Sequence, residues 1–235
     1  MRDDGGTGGS WFQQRAALRS LAQHSERGDP AAIEEAIRML GSSSADVRES
    51  AIQALADLAH VGDGRAAEAL CGVVCDDSVD VQCRSLGALG AIGGDSTKVV
   101  ESITAQMQRG QVPVVRVAAL AALRQVVRSH WAADRMGAAE CMASARDAVI
   151  ACAGDDDAAV AAAAVGTLPA VAPLGAHEVA EAARSALRSR AAQVRAAALP
   201  VYASAASCSP QATRDVEDSL QDEEPDVRAA ALAAL

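Results

Sequence analysis

The stretch SADVRESAIQALADL, residues 44–58, decides how this chain is read. Ser44 precedes a run whose apolar residues fall at Val47, Ala51, Ile52 and Leu55. That spacing places all four on one face of an α-helix. Close copies recur down the chain. Aligned on the Val of Asp-Val-Arg, the anchors are Val47, Val81, Val115, Val160, Val194 and Val227, separated by 34, 34, 45, 34 and 33 residues. Periods in this range mark stacked supersecondary units.

The neighbouring columns keep the register. Five residues past each anchor stand Ile52, Leu86, Leu120, Val165, Leu199 and Leu232. Four past stand Ala51, Ser85, Ala119, Ala164, Ala198 and Ala231; eight past stand Leu55, Leu89, Leu123, Leu168, Tyr202 and Leu235. Large and small residues alternate on one face, as interdigitating helices require. Three residues before the anchor, Ser44, Ser78 and Asp157 are N-cap types, with Glu224 at the same place. Pro113 and Pro225 fall one residue later, where a missing N–H does little harm.

Each of these B helices follows a weaker A helix, as in PAAIEEAIRML (30–40), RAAEALCGVV (65–74) and HEVAEAARSAL (177–187). Turn material separates the helices at 62–65, 93–96 and 154–157, and no strand pattern competes. Counting back 34 residues from Val47 reaches Gln13, so 11–24 reads as a lone first helix, with 1–10 as a disordered Gly-rich lead. About six repeats then fill 30–235, the last truncated, making 11–235 one repeat array. The 45-residue spacing holds an insertion of about eleven residues around RSHWAADRMGA, expected in the turn between the third and fourth repeats. Pro200, inside the fifth B helix, is expected to kink it. The last B helix ends only eight residues past its anchor, with its apolar face uncovered, and the chain is expected to be part of a longer one or to be completed by a partner.

Composition agrees. Half of the residues are apolar, yet only 2% are aromatic, namely Trp11, Phe12, Trp131 and Tyr202. An apolar mass of Ala, Val and Leu favours thin helical layers. The net charge of −10 argues against nucleic acid, whose phosphates call for basic patches. The six cysteines form no dense framework, and MRDDGGTGGS has no apolar signal core. Reduced thiols and a cytoplasmic location, with the nucleus as the other option, are expected. The uncharged run at 158–176 is long enough for a membrane, but it carries Pro169 and Pro173 and stays in phase with the repeat, so no membrane span is expected.

The run Asp-Val-Arg-x-x-Ala-x-x-Ala-Leu, in DVRESAIQAL and DVRAAALAAL, resembles the short HEAT-like repeat of the kind found in phycobilisome lyases. Tetratricopeptide units would need aromatic columns, and ankyrin units a Thr-Pro-Leu-His turn; both are absent here. The resemblance covers about 30–235. It implies an all-α fold, a right-handed α-solenoid of stacked antiparallel helix pairs forming a HEAT/armadillo-like superhelix. It also implies an Asp/Arg structural ladder along the stack. Asp46 and Arg48, and Asp226 and Arg228, match both of its positions; Arg116 and Arg195 match the Arg, and Asp80 the Asp. Ala159 and Ala161 interrupt any ladder in the fourth repeat.

Candidate chemistry is thin. Cys71, Cys75 and Cys83 lie near one another, but Cys71 shares a core column with Ile37 and nothing completes four ligands. His177–Glu178 is a single pair where the HEAT-like diiron hydroxylases use several. GDDDAAV (154–160) lacks the alternating ligands of a calcium loop and reads as a capped helix start. No catalytic residue, metal or cofactor is expected.

With B helices on the concave face, the exposed stripe falls two, six and ten residues past each anchor. It comprises Glu49, Gln53 and Asp57; Cys83, Gly87 and Ala91; Val117, Ala121 and Gln125; Ala162, Gly166 and Ala170; and Ala196, Pro200 and Ser204. It starts acidic and becomes small and nearly neutral, and it is a candidate partner groove with Glu49, Gln53, Asp57, Val117, Ala121, Gln125 and Ala162 as the candidate contacts. A second surface is the acidic edge of the A-to-B turns: Asp76, Asp77 and Asp80, Asp155 to Asp157, and Asp222 to Asp226. The expected function is a non-enzymatic scaffold or adaptor binding a protein partner, a helix or a basic segment. The alternative implied by the resemblance is a subunit of a bilin lyase or similar modifying enzyme.

Overall fold

A computed structural model describes residues 7–94, 96–108, 111–130, 138–171, 177–206 and 209–235. The described residues form thirteen α-helices: α1 (Thr7–His24), α2 (Pro30–Met39), α3 (Ala45–Leu58), α4 (Gly64–Cys71), α5 (Val79–Ile92), α6 (Thr97–Ala105), α7 (Pro113–His130), α8 (Ala138–Ala153), α9 (Ala158–Val171), α10 (His177–Ala186), α11 (Ala192–Ala205), α12 (Pro210–Ser219) and α13 (Pro225–Ala234). The even-numbered helices are the A helices, and α1 is the lone first one. The six anchor valines are all buried. So are the columns four, five and eight residues past them, except at α13, where Leu232 and Leu235 are 70% and 61% exposed. Each earlier B helix also packs on the B helix that follows it, whereas α13 packs chiefly on α11 and α12.

Two boundaries differ from the expectations. Helix α1 begins at Thr7, ahead of residue 11, because a polar first turn leaves no mark in an apolar period; residues 1–6 lie outside the described residues. The insertion lengthens helices more than the turn. α7 has 18 residues against 14 in α3 and α5, and α8 has 16 against 10 in α2. Its Ala-rich C-terminal flank favours helix; residues 131–137 lie outside the described residues. Helix α11 runs on through Pro200, and α9 through Pro169. Both prolines are exposed, so the carbonyls they leave without a helical donor lie on the solvent side.

The ladder exists, but with a different carboxylate. Asp46 and Arg48 are two residues apart on a helix, about 200° around its axis, and cannot face each other. Arg48 instead reaches the next unit, where Nε and Nη2 donate to Asp76 at 2.8 and 2.7 Å. Arg195 does the same to Asp222 at 2.8 Å from both nitrogens, and Arg116 Nη2 donates to Asp155 at 2.6 Å. The rung thus joins the residue after one anchor to the residue five before the next. Asp46 meets Arg15 instead, at 3.7 Å. Asp80 and Asp226 make no ion pair among the described residues; in the first helical turn they stand where the helix dipole favours a carboxylate.

Arginines of this column also close their own turns, Arg228 without a rung among the described residues. Arg48 Nη1 donates to the Ser42 carbonyl at 2.9 Å, Arg195 Nη1 to Ser189 at 3.0 Å and Arg228 Nη1 to Asp222 at 2.7 Å. The ladder carboxylates accept backbone N–H groups as well: Asp76 from Ser78, Asp155 from Asp157 and Asp222 from Glu224, at 2.9 to 3.0 Å. Where the rung is missing, the Ser42 and Ser189 hydroxyls accept from Ser44 and Ala191. The hydroxyls of Ser44 and Ser78 make no cap bond, and of the expected caps only Asp157 accepts from its own helix, at Ala159 and Val160. On the opposite edge, Gly28 and Gly62, at φ of 90° and 85°, donate their N–H groups to Leu58 and Ile92 at 2.7 and 2.8 Å, closing the C-terminal ends of α3 and α5.

Candidate partner-binding groove

The odd-numbered B helices pack on one another in unbroken succession from α1 to α13, and contact between successive A helices is sparser. The layer packed more closely lies on the inside of the curve, so the B helices form the inner face. Its floor is the column six residues past each anchor: Gln53, Gly87, Ala121, Gly166 and Pro200, all exposed. Glu49, Val117 and Ala162, two past the anchor, are half-buried at its margin, while Asp57 and Gln125, ten past, are exposed.

Two hollows lie on this face. The first, about 200 Å³ between α1, α3 and α5, brings Glu49, Gln53 and Asp57 together with Arg15, Arg19 and Arg84. Its charges are largely matched internally. Arg84 pairs with Glu49 at 2.7 Å, Gln53 Nε2 donates to Asp57 at 3.1 Å, and Arg15, already near Asp46, stacks 5.8 Å from the Trp11 ring. The second, about 540 Å³, lies between α7 and α9 and is lined by Arg124, Val127, Arg128, Gly166, Pro169 and Ala170. The stripe read from sequence located both floors but missed the arginines. Those of α1, α5 and α7 stand in other columns or in the atypical first unit, and only packing brings them alongside.

No protein-family model matches the sequence, and no curated protein matches it. Solved structures do. An archaeal HEAT-like repeats protein from Thermococcus onnurineus is 14% identical with a TM-score of 0.62, over 95% of each chain. This is a HEAT-like α-solenoid. The solenoid also resembles a chain of the CpcE–CpcF complex of phycocyanin lyase from a Nostoc species, 20% identical with a TM-score of 0.51, over 89% of this chain and 78% of that one. A designed armadillo repeat protein in complex with a (KR)4 peptide is 15% identical with a TM-score of 0.51, over 96% of each chain.

Other candidate sites dissolve into structure. Among the described residues of the solenoid, no three His, Cys, Asp or Glu side chains are grouped to hold a metal ion. Cys75 is exposed and accepts from Gln106 Nε2 at 3.3 Å; Cys71 and Cys83 are half-buried. His177 lies 3.5 Å from Glu181, one turn along α10, at an exposed helix start. The acidic edge is in part spoken for. Asp76, Asp155 and Asp222 hold rungs, and Asp157 caps α9. Burial pushes the Asp76 carboxyl up, but Arg48 and the Ser78 N–H outweigh it and hold it below the usual carboxylate range. Hydrogen bonding from Arg195 lowers Asp222 in the same way. At the far end, Asp215 gathers the Tyr202 hydroxyl, Arg184 Nε and Gln211 Nε2 at 2.7 to 2.9 Å, which ties α10, α11 and α12 together. No described helix is long and apolar enough to cross a membrane.

Proposed function

We propose that the solenoid is a non-enzymatic protein-interaction module whose inner face takes a segment of a partner along the floor column. The observation that carries this reading is the composition of that column. Glycine in a helix interior costs about 1 kcal/mol relative to alanine, and proline costs more. Gly87 and Gly166 stand in the middle of α5 and α9, and a Cβ at either would meet nothing within 4 Å. The fold itself gains no close packing from these residues. A bare floor lets a partner backbone approach closely. The margin residues Glu49, Val117 and Ala162, together with Gln53, Asp57, Ala121 and Gln125, complete the proposed contact surface.

The test is steric. Gly87→Trp and Gly166→Trp should keep the helical fold by circular dichroism yet lose the proteins captured by the wild-type solenoid in affinity purification with mass spectrometry. Glu34→Trp, exposed on α2, should keep them. Capture that survives both inner-face changes would refute the reading. A second reading, a subunit of a bilin lyase or similar modifying enzyme, is supported by the likeness to the CpcE–CpcF chain. Co-expression with a bilin and its acceptor protein separates the two: a coloured complex supports the lyase, and a stable colourless one the scaffold.

A further inference from the structure

The chain carries 31 acidic residues against 21 Lys and Arg, yet the inner helices α7, α9 and α11 contain no Asp or Glu. Their cations are Arg116 and Arg195, both committed to rungs, and Arg124 and Arg128. Arg124 and Arg128 are exposed and make no ion pair among the described residues. Both border the 540 Å³ hollow, whose remaining lining is small or apolar. The N-terminal hollow is different: there Arg84 and Arg15 already face Glu49 and Asp46. Within an acidic protein, the middle of the inner face is thus a local cationic site with no carboxylate paired to it among the described residues.

We infer that the hollow between α7 and α9 takes an extended acidic segment of a partner protein, with carboxylates at alternate residues paired to Arg124 and Arg128. This rests on the reading of the inner face as a docking surface and adds the chemistry of the occupant. Residues four apart on a helix lie about 5–6 Å apart. Alternate side chains of an extended segment leave one side about 7 Å apart, so two carboxylates spaced in this way meet both guanidinium groups. Each guanidinium presents a fork that matches a carboxylate. The Gly166 and Ala170 floor leaves room for the segment's backbone. Two free cations are too few to hold a nucleic-acid backbone, whose binding rests on many phosphate contacts.

The experiment is fluorescence anisotropy with a short labelled peptide of alternating Glu and Ala, alongside Gln–Ala and Lys–Ala counterparts. The Glu–Ala peptide should bind best, and more weakly as salt rises. Arg124→Ala/Arg128→Ala should weaken it at least about tenfold, in line with the loss of two charge pairs. Arg65→Ala/Arg214→Ala, which removes two exposed cations from the outer helices, should leave it unchanged. Equal binding to the Arg124/Arg128 double variant, or none up to about 1 mM, overturns the proposal. If the Gln–Ala or Lys–Ala peptide binds better and Gly166→Trp abolishes it, the docking face stands and its acidic preference falls. If Gly166→Trp leaves all peptide binding intact, both fall. Self-association lost in the Arg124/Arg128 double variant, read by light scattering, gives the hollow to a second copy and overturns the proposal.

Discussion

The junction between α7 and the turn before α9 and the junction between α9 and the turn before α11 are neighbours built on one plan. In the first, Arg116 and Asp155 meet at 2.6 Å with side chains 7% and 8% exposed. In the second, Ala161 and Ser189 stand at the same places, and the Ser189 hydroxyl merely closes its own turn. Both pairs of B helices pack tightly all the same. The stack is therefore held by apolar burial, and the ion pairs are additions to it. A buried pair contributes little net stability over a well-packed apolar alternative, but breaking one is costly. The difference between the two junctions is thus one of vulnerability more than of strength.

The largest expected effect is at the buried rung. Asp155→Ala strands the Arg116 charge in the interior and should lower unfolding stability by about 3–5 kcal/mol, read by urea denaturation. Moving the rung is the converse. Ala161→Arg alone should cost about 2 kcal/mol through an unpaired, partly buried charge, and adding Ser189→Asp should recover most of that. A double-mutant cycle reads the coupling, and no recovery would show that the two junctions differ in more than their charges.

Acid should next separate junctions that carry a rung from the one that does not. Asp76 and Asp222 are held below their unfolded values, so their contribution is full above about pH 4 and is lost as pH falls through the folded values. Asp76→Asn should flatten the fall of the urea midpoint below that pH, while Ser189→Ala should leave its shape unchanged. Glycines sharpen the packing side of the comparison. Gly90→Ala would place a Cβ 3.1 Å from Ala122 Cα and should destabilise by about 1 kcal/mol, because α5 and α7 must move apart. Gly87→Ala, one turn earlier in open space, should stabilise by about 0.5–1 kcal/mol, as a thermal melt would show. The smallest effect belongs to Asp46→Ala. Its contact with Arg15 is long and exposed, so stability should change by less than about 0.5 kcal/mol, although Asp46 belongs to the motif that first reveals the repeat.

That last contrast shows how far the repeat motif can be trusted. The Arg column was readable, and the matching carboxylate was readable too, five residues before the next anchor. There Ser42, Asp76, Gly110, Asp155, Ser189 and Asp222 follow Gln14, Arg48, Gln82, Arg116, Ala161 and Arg195 in turn. Asp appears in that column only where Arg precedes it. The signal is missed when Asp and Arg are paired because they adjoin in sequence, since neighbours on a helix point different ways. Of the groove, the floor was open to a periodic reading and the cations were not. Arg124 stands in a column held by Ala56, Gly90, Pro169 and Ala203 in other units, and Arg128 belongs to the extension of α7.

The sequence by itself determined the helices, their pairing into repeats and the face that each one buries, because a period of 3.6 residues and a spacing near 34 are properties of the chain alone. The tertiary structure decided which charges meet and which stay free. An ion pair depends on where two side chains end after the units have stacked. That separation is set by packing across units, which no local pattern encodes.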